Sequence, residues 1–323
     1  MSEEKKGFFS AENISVSLTE GERRVKVLRD VSLSLPFGGC VGMVGESGCG
    51  KSLLCRALLG ILPGRKWTVE GRAFLKGGEI PLGDDKEMDR FRGKRISMIV
   101  QNPMDAFDPR MTVEAHFLEG VHWRERGRMR EKALRELERM RIREPWRVMK
   151  CCPFQLSGGM LQRVLIALSL LGGPEVLIAD EPTTALDAAV QSEILSLLKG
   201  LQKERKLSIL LVSHDLDVIC GIADELSVMY AGEIVEQGEE KTVRARPLHP
   251  YTQGLFRSRL TFSKEKLWAM EGQPPAPGTA AGGCLFGPRC TVKKEICGFA
   301  PPPFREAEPG HFCRCWRVGE EHE

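Results

Sequence analysis

The chain has 323 residues, long enough for one large domain plus an appendage and for a substantial core. Hydrophobic residues make up 42% and charged residues 28%, and a formal net charge of +3 gives no global argument for binding nucleic acid or a membrane surface. No apolar run approaches the roughly 20 residues of a membrane helix, and the opening MSEEKKGFF lacks the apolar centre of a secretory signal, so a cytosolic protein is expected.

Residues 11–44 read as short strands. VSLSL alternates, and CVGMVG is an apolar run ending in glycine, as a buried strand entering a phosphate-binding turn should be. The turn itself is GESGCGKS, residues 45–52, which fits G-x-x-x-x-G-K-S and leads into an apolar helix, KSLLCRALLGI. Backbone amides of Gly45, Glu46, Ser47, Gly48, Cys49, Gly50, Lys51 and Ser52 would surround a β-phosphate. Lys51 would reach the β- and γ-phosphates, and Ser52 would supply a magnesium ligand.

The strand ISMIV ends at Gln101, after which residues 112–150 change to charged helical periodicity, predicting an inserted helical subdomain over about 102–172. Its arginine-rich stretch, 122–143, has few interleaved aromatics and balancing glutamates, so a solvated face is expected rather than a nucleic-acid surface. His116 and His122 lack a ligand spacing, and Cys151 and Cys152 read as packing residues. FQLSGGMLQR then places Ser157, Gly158 and Gly159 at the start of a long helix, a second anion cradle.

VLIAD (176–180) and LSILLVSH (207–214) are β-branched apolar runs of strand length, with the helix QSEILSLLKGLQKE between them. That alternation argues a largely parallel sheet with crossover helices. At the end of the first run Asp180 is placed to hold magnesium, and Glu181 to orient and activate a water opposite a γ-phosphate. Beyond about 244 proline and glycine become frequent and periodicity fades, so 1–243 is read as one domain and 244–323 as a loop-rich extension. Five of the 11 cysteines crowd into 284–315, which in a reducing compartment favours a metal site over disulfides.

GESGCGKS, LSGGM, VLIADEPTTALD and SHD, in this order and spacing over residues 11–243, resemble the nucleotide-binding subunits of ATP-binding-cassette transporters. The resemblance implies an α/β P-loop cassette: a mostly parallel sheet core, an antiparallel β subdomain and a helical insert. It also implies head-to-tail pairing of two such subunits, so that Ser157, Gly158 and Gly159 bind the ATP held by the partner's phosphate loop. One chain then carries two cradles because each is half of a composite site. Carried over by position, Glu181, His214 and Lys51 are catalytic, and Ser52, Gln101 and Asp180 serve Mg2+. Asp187 would lie at the dimer seam and His214 would contact the γ-phosphate. Met160 stands where many members have glutamine, and the usual adenine-stacking region offers only Leu18. Aliphatic surface there, or Phe8 or Phe9 instead, leaves the base contact unassigned.

HPYTQGL, GCLFGPRC and EPGH resemble the C-terminal extension of the oligopeptide, dipeptide and nickel importer subfamily. In relatives with this arrangement four cysteines, here Cys284, Cys290, Cys297 and Cys315, can hold a [4Fe–4S] cluster. Zinc and reduced thiols are the alternatives, and Cys313 competes with Cys315 for the fourth place. GKSLLCRALLGILP, QNPMDAFDP and PFQLSGGMLQR look most like the nickel-import branch. The function so implied is the ATP-hydrolysing subunit of a binding-protein-dependent importer of peptides, nickel or metal chelates. Such a subunit is peripheral on the cytoplasmic face of the membrane. Its partners are a second, commonly non-identical, ATPase subunit, two permease subunits and, indirectly, an extracytoplasmic binding protein; nucleic acid is not expected. Rival readings are a soluble clamp acting on DNA or ribosomes, whose long coiled-coil inserts or second cassette this sequence lacks, and a redox-sensing ATPase.

Overall fold

The computed structural model describes residues 7–64, 66–184, 186–258, 270–279 and 282–318. The segment expected as short strands instead forms two long ones, β1 (Phe9–Glu20) and β2 (Arg23–Leu35), paired antiparallel from Phe9↔Leu35 to Glu20↔Arg23. Register shifts around Ile14 explain the difference: a bulge lets Ile14 and Val16 follow Phe9 and Ala11 on the buried side, so one strand continues where strict alternation stops. β3 (Cys40–Val44) follows, then α1 (Lys51–Leu58). β4 (Trp67–Leu75) and β5 (Gly78–Ile80) return to β1, giving a four-stranded antiparallel sheet of order β2-β1-β4-β5.

After the single turn α2 (Asp85–Met88), β6 (Ile96–Ile99) enters a second sheet and the chain leaves for the helical insert. The insert comprises α3 (Val113–Phe117), α4 (Arg126–Arg139), α5 (Pro145–Lys150) and α6 (Gly158–Leu170). α4 buries Ala133, Glu136 and Leu137 and turns most of its arginines outward. The buried Glu136 carboxylate is paired with Arg139 and Arg205, and Arg130 pairs with Glu114. His116 is also accounted for locally, its Nε2 accepting the Asp108 amide at 2.9 Å.

β7 (Val176–Asp180), α7 (Ala188–Arg205), β8 (Ser208–Ser213), α8 (Leu216–Cys220), β9 (Glu225–Tyr230) and β10 (Glu233–Glu239) complete the cassette core. α9 (Glu240–Ala245) crosses into the C-terminal region, which supplies α10 (Pro250–Arg257), β11 (Arg305–Glu308) and β12 (His311–Cys313). The second sheet has the order β11-β12-β10-β9-β3-β8-β7-β6. β9-β3-β8-β7-β6 pair in parallel, while β10, β12 and β11 pair antiparallel. The parallel strands are apolar on both faces, which is why they read as continuous runs. Leu177, Ala179, Ile209 and Leu211 enter one core, whereas Val176, Ile178, Leu210 and Val212 enter the other. Among the described residues no helix is long and apolar enough to cross a membrane.

The C-terminal region is docked on the cassette through a buried carboxylate. Glu236 on β10 is wholly buried and accepts the amides of Leu248 and His249, each at 2.8 Å. His311 Nε2 on β12 lies 2.8 Å from the same carboxylate.

Candidate nucleotide site

Residues Gly45–Ser52 run from the end of β3 to the first residues of α1, the strand–turn–helix context expected of a phosphate loop. Gly50 caps α1 with φ 111°, and a Cβ there would come within 2.5 Å of Leu28. At Gly45 a Cβ would meet the Met229 carbonyl at 2.2 Å. These two positions therefore require glycine, one for conformation and one for space. Lys51 is buried, and its Nζ donates to the carbonyls of Gly45 and Glu46 at 2.7 and 3.0 Å. The lysine thus spans the mouth of its own loop, with a further contact to Cys49 Sγ at 3.6 Å. Burial pushes the Cys49 thiol up, with the neighbouring Lys51 opposing that shift.

Ser52 Oγ donates to Asp180 Oδ1 at 3.0 Å, so the hydroxyl at the start of α1 meets the carboxylate at the end of β7. Asp180 is buried, and burial raises its carboxyl from its ordinary value, against the hydrogen bond from Ser52. Glu181 follows with φ 48°, a left-handed conformation that turns its side chain away from the strand direction. Its Oε2 accepts from Gln101 Nε2 at 3.0 Å and from Thr184 Oγ1 at 2.8 Å, and His214 Nδ1 lies 3.0 Å away. Gln101, Asp180, Glu181 and His214, all expected from sequence, therefore meet beside Ser52. Thr184 was not expected; its place three residues after Glu181 in DEPTTALD is the signal that would have found it.

Ser157 caps α6, its Oγ accepting the Met160 amide at 3.4 Å, and Asp187 caps α7 by accepting from Val190 at 2.9 Å. A Cβ on Gly159 would lie 2.7 Å from Val190, so the two helix starts are packed together. Among the described hydrogen bonds none joins Ser157–Gly159 to Gly45–Ser52. Of the aromatics weighed for the base, Phe9 is wholly buried in the core and Phe8 packs on Phe37 with ring centroids 4.9 Å apart.

In the C-terminal region Cys284, Cys290, Cys297 and Cys315 line one cavity with His249, Phe286 and Trp316. Cys313 is not on that wall; it is wholly buried on β12 near Glu236. Burial pushes the Cys284 thiol up to about 11 and raises Cys290 and Cys315 as well. Among the described residues no three His, Cys, Asp or Glu side chains are gathered closely enough to hold a metal ion. Two further side chains, unforeseen from sequence, reach from this region to the phosphate loop: Tyr251 Oη accepts the Glu46 amide at 2.9 Å, which takes that amide out of the set expected around the β-phosphate, and Arg289 pairs with the Glu46 carboxylate.

A phosphate loop whose helix-start hydroxyl meets a strand-end carboxylate, with a second carboxylate held by glutamine, threonine and histidine, defines a P-loop ATPase of the cassette type. The chain belongs to the ABC transporter family, matched over residues 28–184, and carries the oligopeptide/dipeptide transporter C-terminal region over 235–297. It is 39% identical over 315 residues to the dipeptide transport ATP-binding protein DppD of Bacillus subtilis, covering 95% of this chain and 93% of that one. To the oligopeptide transport ATP-binding protein OppD of Escherichia coli it is 38% identical, covering 97% of this chain and 94% of that one. Its fold matches the ATP-binding cassette MJ0796, solved as a dimer in a post-hydrolysis state bound to ADP and Pi. That match has a TM-score of 0.62 at 27% identity, covering 72% of this chain and 98% of that one. The chain is accordingly an ABC ATPase.

Proposed function

We propose that this chain is the ATP-hydrolysing subunit of a binding-protein-dependent importer of peptides, peripheral on the cytoplasmic face of the membrane. The observation that carries the catalytic part is the convergence of Gln101, Thr184 and His214 on Glu181 Oε2 beside the Ser52–Asp180 pair. With Oε2 engaged, Oε1 is the oxygen that accepts a proton from water as it attacks the γ-phosphorus. The new P–O bond forms as the bridge to the β-phosphate breaks, releasing ADP. Lys51 exchanges its two loop carbonyls for β- and γ-phosphate oxygens, and His214 stabilises the developing charge. Ser52, Asp180 and Gln101 are the residues that would hold Mg2+, which when bound neutralises charge on the β- and γ-oxygens. Ser157, Gly158, Gly159 and Asp187 act across the dimer seam on the ATP of a second, non-identical subunit.

Two permease subunits would dock on the helical insert near Gln101, where Met104, Trp146 and Phe154 are exposed. We take 1–243 as the cassette, with its helical subdomain at 102–172, and 244–323 as the extension. The peptide class is supported by the names of the relatives; nickel and metal chelates are the other cargo the motifs suggest. The four thiols on one cavity wall match the donor set of a [4Fe–4S] cluster, and Cys315, not Cys313, completes it. Zinc is the alternative the same thiols offer, and among the described residues no ligand set is already drawn around one point for either metal.

The test is uptake in cells carrying the whole transporter, wild type against Glu181→Gln, with labelled di- and oligopeptides beside labelled nickel with and without chelators. Peptide uptake lost in the variant is the expected result. Loss confined to nickel would reassign the cargo, and uptake indifferent to Glu181 would remove the transporter reading.

A further inference from the structure

The second residue of the phosphate loop is held from outside the cassette. The backbone amide of Glu46 donates to Tyr251 Oη at 2.9 Å, and Tyr251 is wholly buried on α10. Both carboxylate oxygens of Glu46 accept from Arg289, Oε2 from Nη1 at 2.8 Å and Oε1 from Nη2 at 3.0 Å. The Arg289 side chain is only 5% exposed and is itself fixed, donating from Nε to the Glu271 carbonyl at 3.1 Å. Its guanidinium lies over the rings of Tyr230 and Phe286, 5.7 and 6.0 Å from their centroids. These partners stand 205 and 243 positions from Glu46 along the chain, so this contact comes from tertiary structure alone.

We propose that Arg289 and Tyr251 are positioning residues of the ATP site: together they set the shape and the charge of the phosphate loop. A carboxylate beside a loop built to receive a triphosphate opposes binding through like charge. A bidentate arginine removes that opposition and fixes the carboxylate in one orientation. The tyrosine hydroxyl satisfies the Glu46 amide, and the Cys49 amide donates to the Glu46 carbonyl at 3.2 Å, so every polar group of this residue stays restrained when Lys51 turns to phosphate. The turn bearing Arg289 runs directly into Cys290, which ties the clamp to the wall of the cysteine cavity.

The inference rests on the loop 45–52 being the ATP site, and the test separates the two. Equilibrium binding of ATP with Mg2+ would be measured by calorimetry on the full chain. Arg289→Gln is expected to weaken ATP binding about tenfold, the effect of an unpaired, partly buried charge facing the ligand. The double variant Arg289→Gln with Glu46→Gln should recover most of that loss, because the orphaned carboxylate is gone. In turnover KM for ATP should rise while kcat moves within about twofold. Tyr251→Phe, which deletes one hydroxyl, serves if Arg289→Gln does not fold, with about a threefold weakening expected from one lost hydrogen bond. Arg289→Gln binding ATP as tightly as wild type, or a double variant as weak as the single one, would overturn the clamp. Wild-type protein that fails to bind ATP would instead overturn the assignment of the loop.

Discussion

His214 Nδ1 lies 3.0 Å from Glu181 Oε2, joining the end of β8 to the end of β7 across the face of the site. The histidine ring is half-exposed while the carboxylate is mostly covered, so the pair presents one buried anchor and one group accessible to ligand. Glu181→Gln keeps the side chain's size but removes its basicity. Hydrolysis should fall by about 10²–10⁴-fold, the usual contribution of a positioned general base, with ATP binding retained. Single-turnover hydrolysis beside equilibrium binding checks this; unchanged turnover would take Glu181 out of the catalytic role.

Thr184 donates to the same oxygen at 2.8 Å. Thr184→Val is nearly isosteric and removes that donor, so kcat should fall about ten- to a hundredfold, matching roughly 1.5–3 kcal/mol for one hydrogen bond to a charged group. KM for ATP should hardly move, and Thr184→Ser should restore the rate. A serine variant as slow as valine would point to packing instead.

His249 is buried, and burial pulls its imidazole down to about 4 from an ordinary 6.5, against the pull of Glu236. The folded value lies below the unfolded one, so the unfolded chain binds the extra proton. Stability from this group is complete above about pH 6.5 and drains as pH falls toward 4, on the order of 3 kcal/mol in all. Urea unfolding at pH 7.5 and pH 5 should show wild type losing more than His249→Asn, whose amide oxygen still accepts from the Tyr251 amide. Equal losses in the two proteins would refute the assignment.

The cavity wall distinguishes two neighbouring thiols. Cys315→Ser should lower the iron and sulfide content of anaerobically purified protein severalfold, whereas Cys313→Ser should leave it near wild type. The reverse pattern would make Cys313 the ligand. Zinc in place of iron in both proteins would rule out the cluster.

Much of the site was legible because it is written locally. GESGCGKS between an apolar strand and a helix, VLIAD ending in Asp180 with Glu181 next, and LSILLVS before His214 each declare themselves within ten residues. Tyr251 and Arg289 could not be found that way. Neither has a periodicity that points to Glu46, and their contact exists only once the extension folds back on the loop. The hairpin of β11 and β12 was equally hidden. Its strands are short, β11 carries Arg305, Glu306 and Glu308, and the pairing of β12 to β10 is accompanied by the buried Glu236–His311 contact rather than by strong strand propensity.

That hairpin also changes how the protein must be made. β10 pairs with β9 on one side, and its other side is taken by β12, drawn from residues 311–313. During synthesis on the ribosome β10 emerges before residues 305–313, so its outer backbone donors and acceptors stay open until that hairpin follows. A message cut short near codon 300 would leave that edge bare, a template for another chain. Among the described residues the border strand on that side is β11, brief and rich in charge, a poor surface for such pairing.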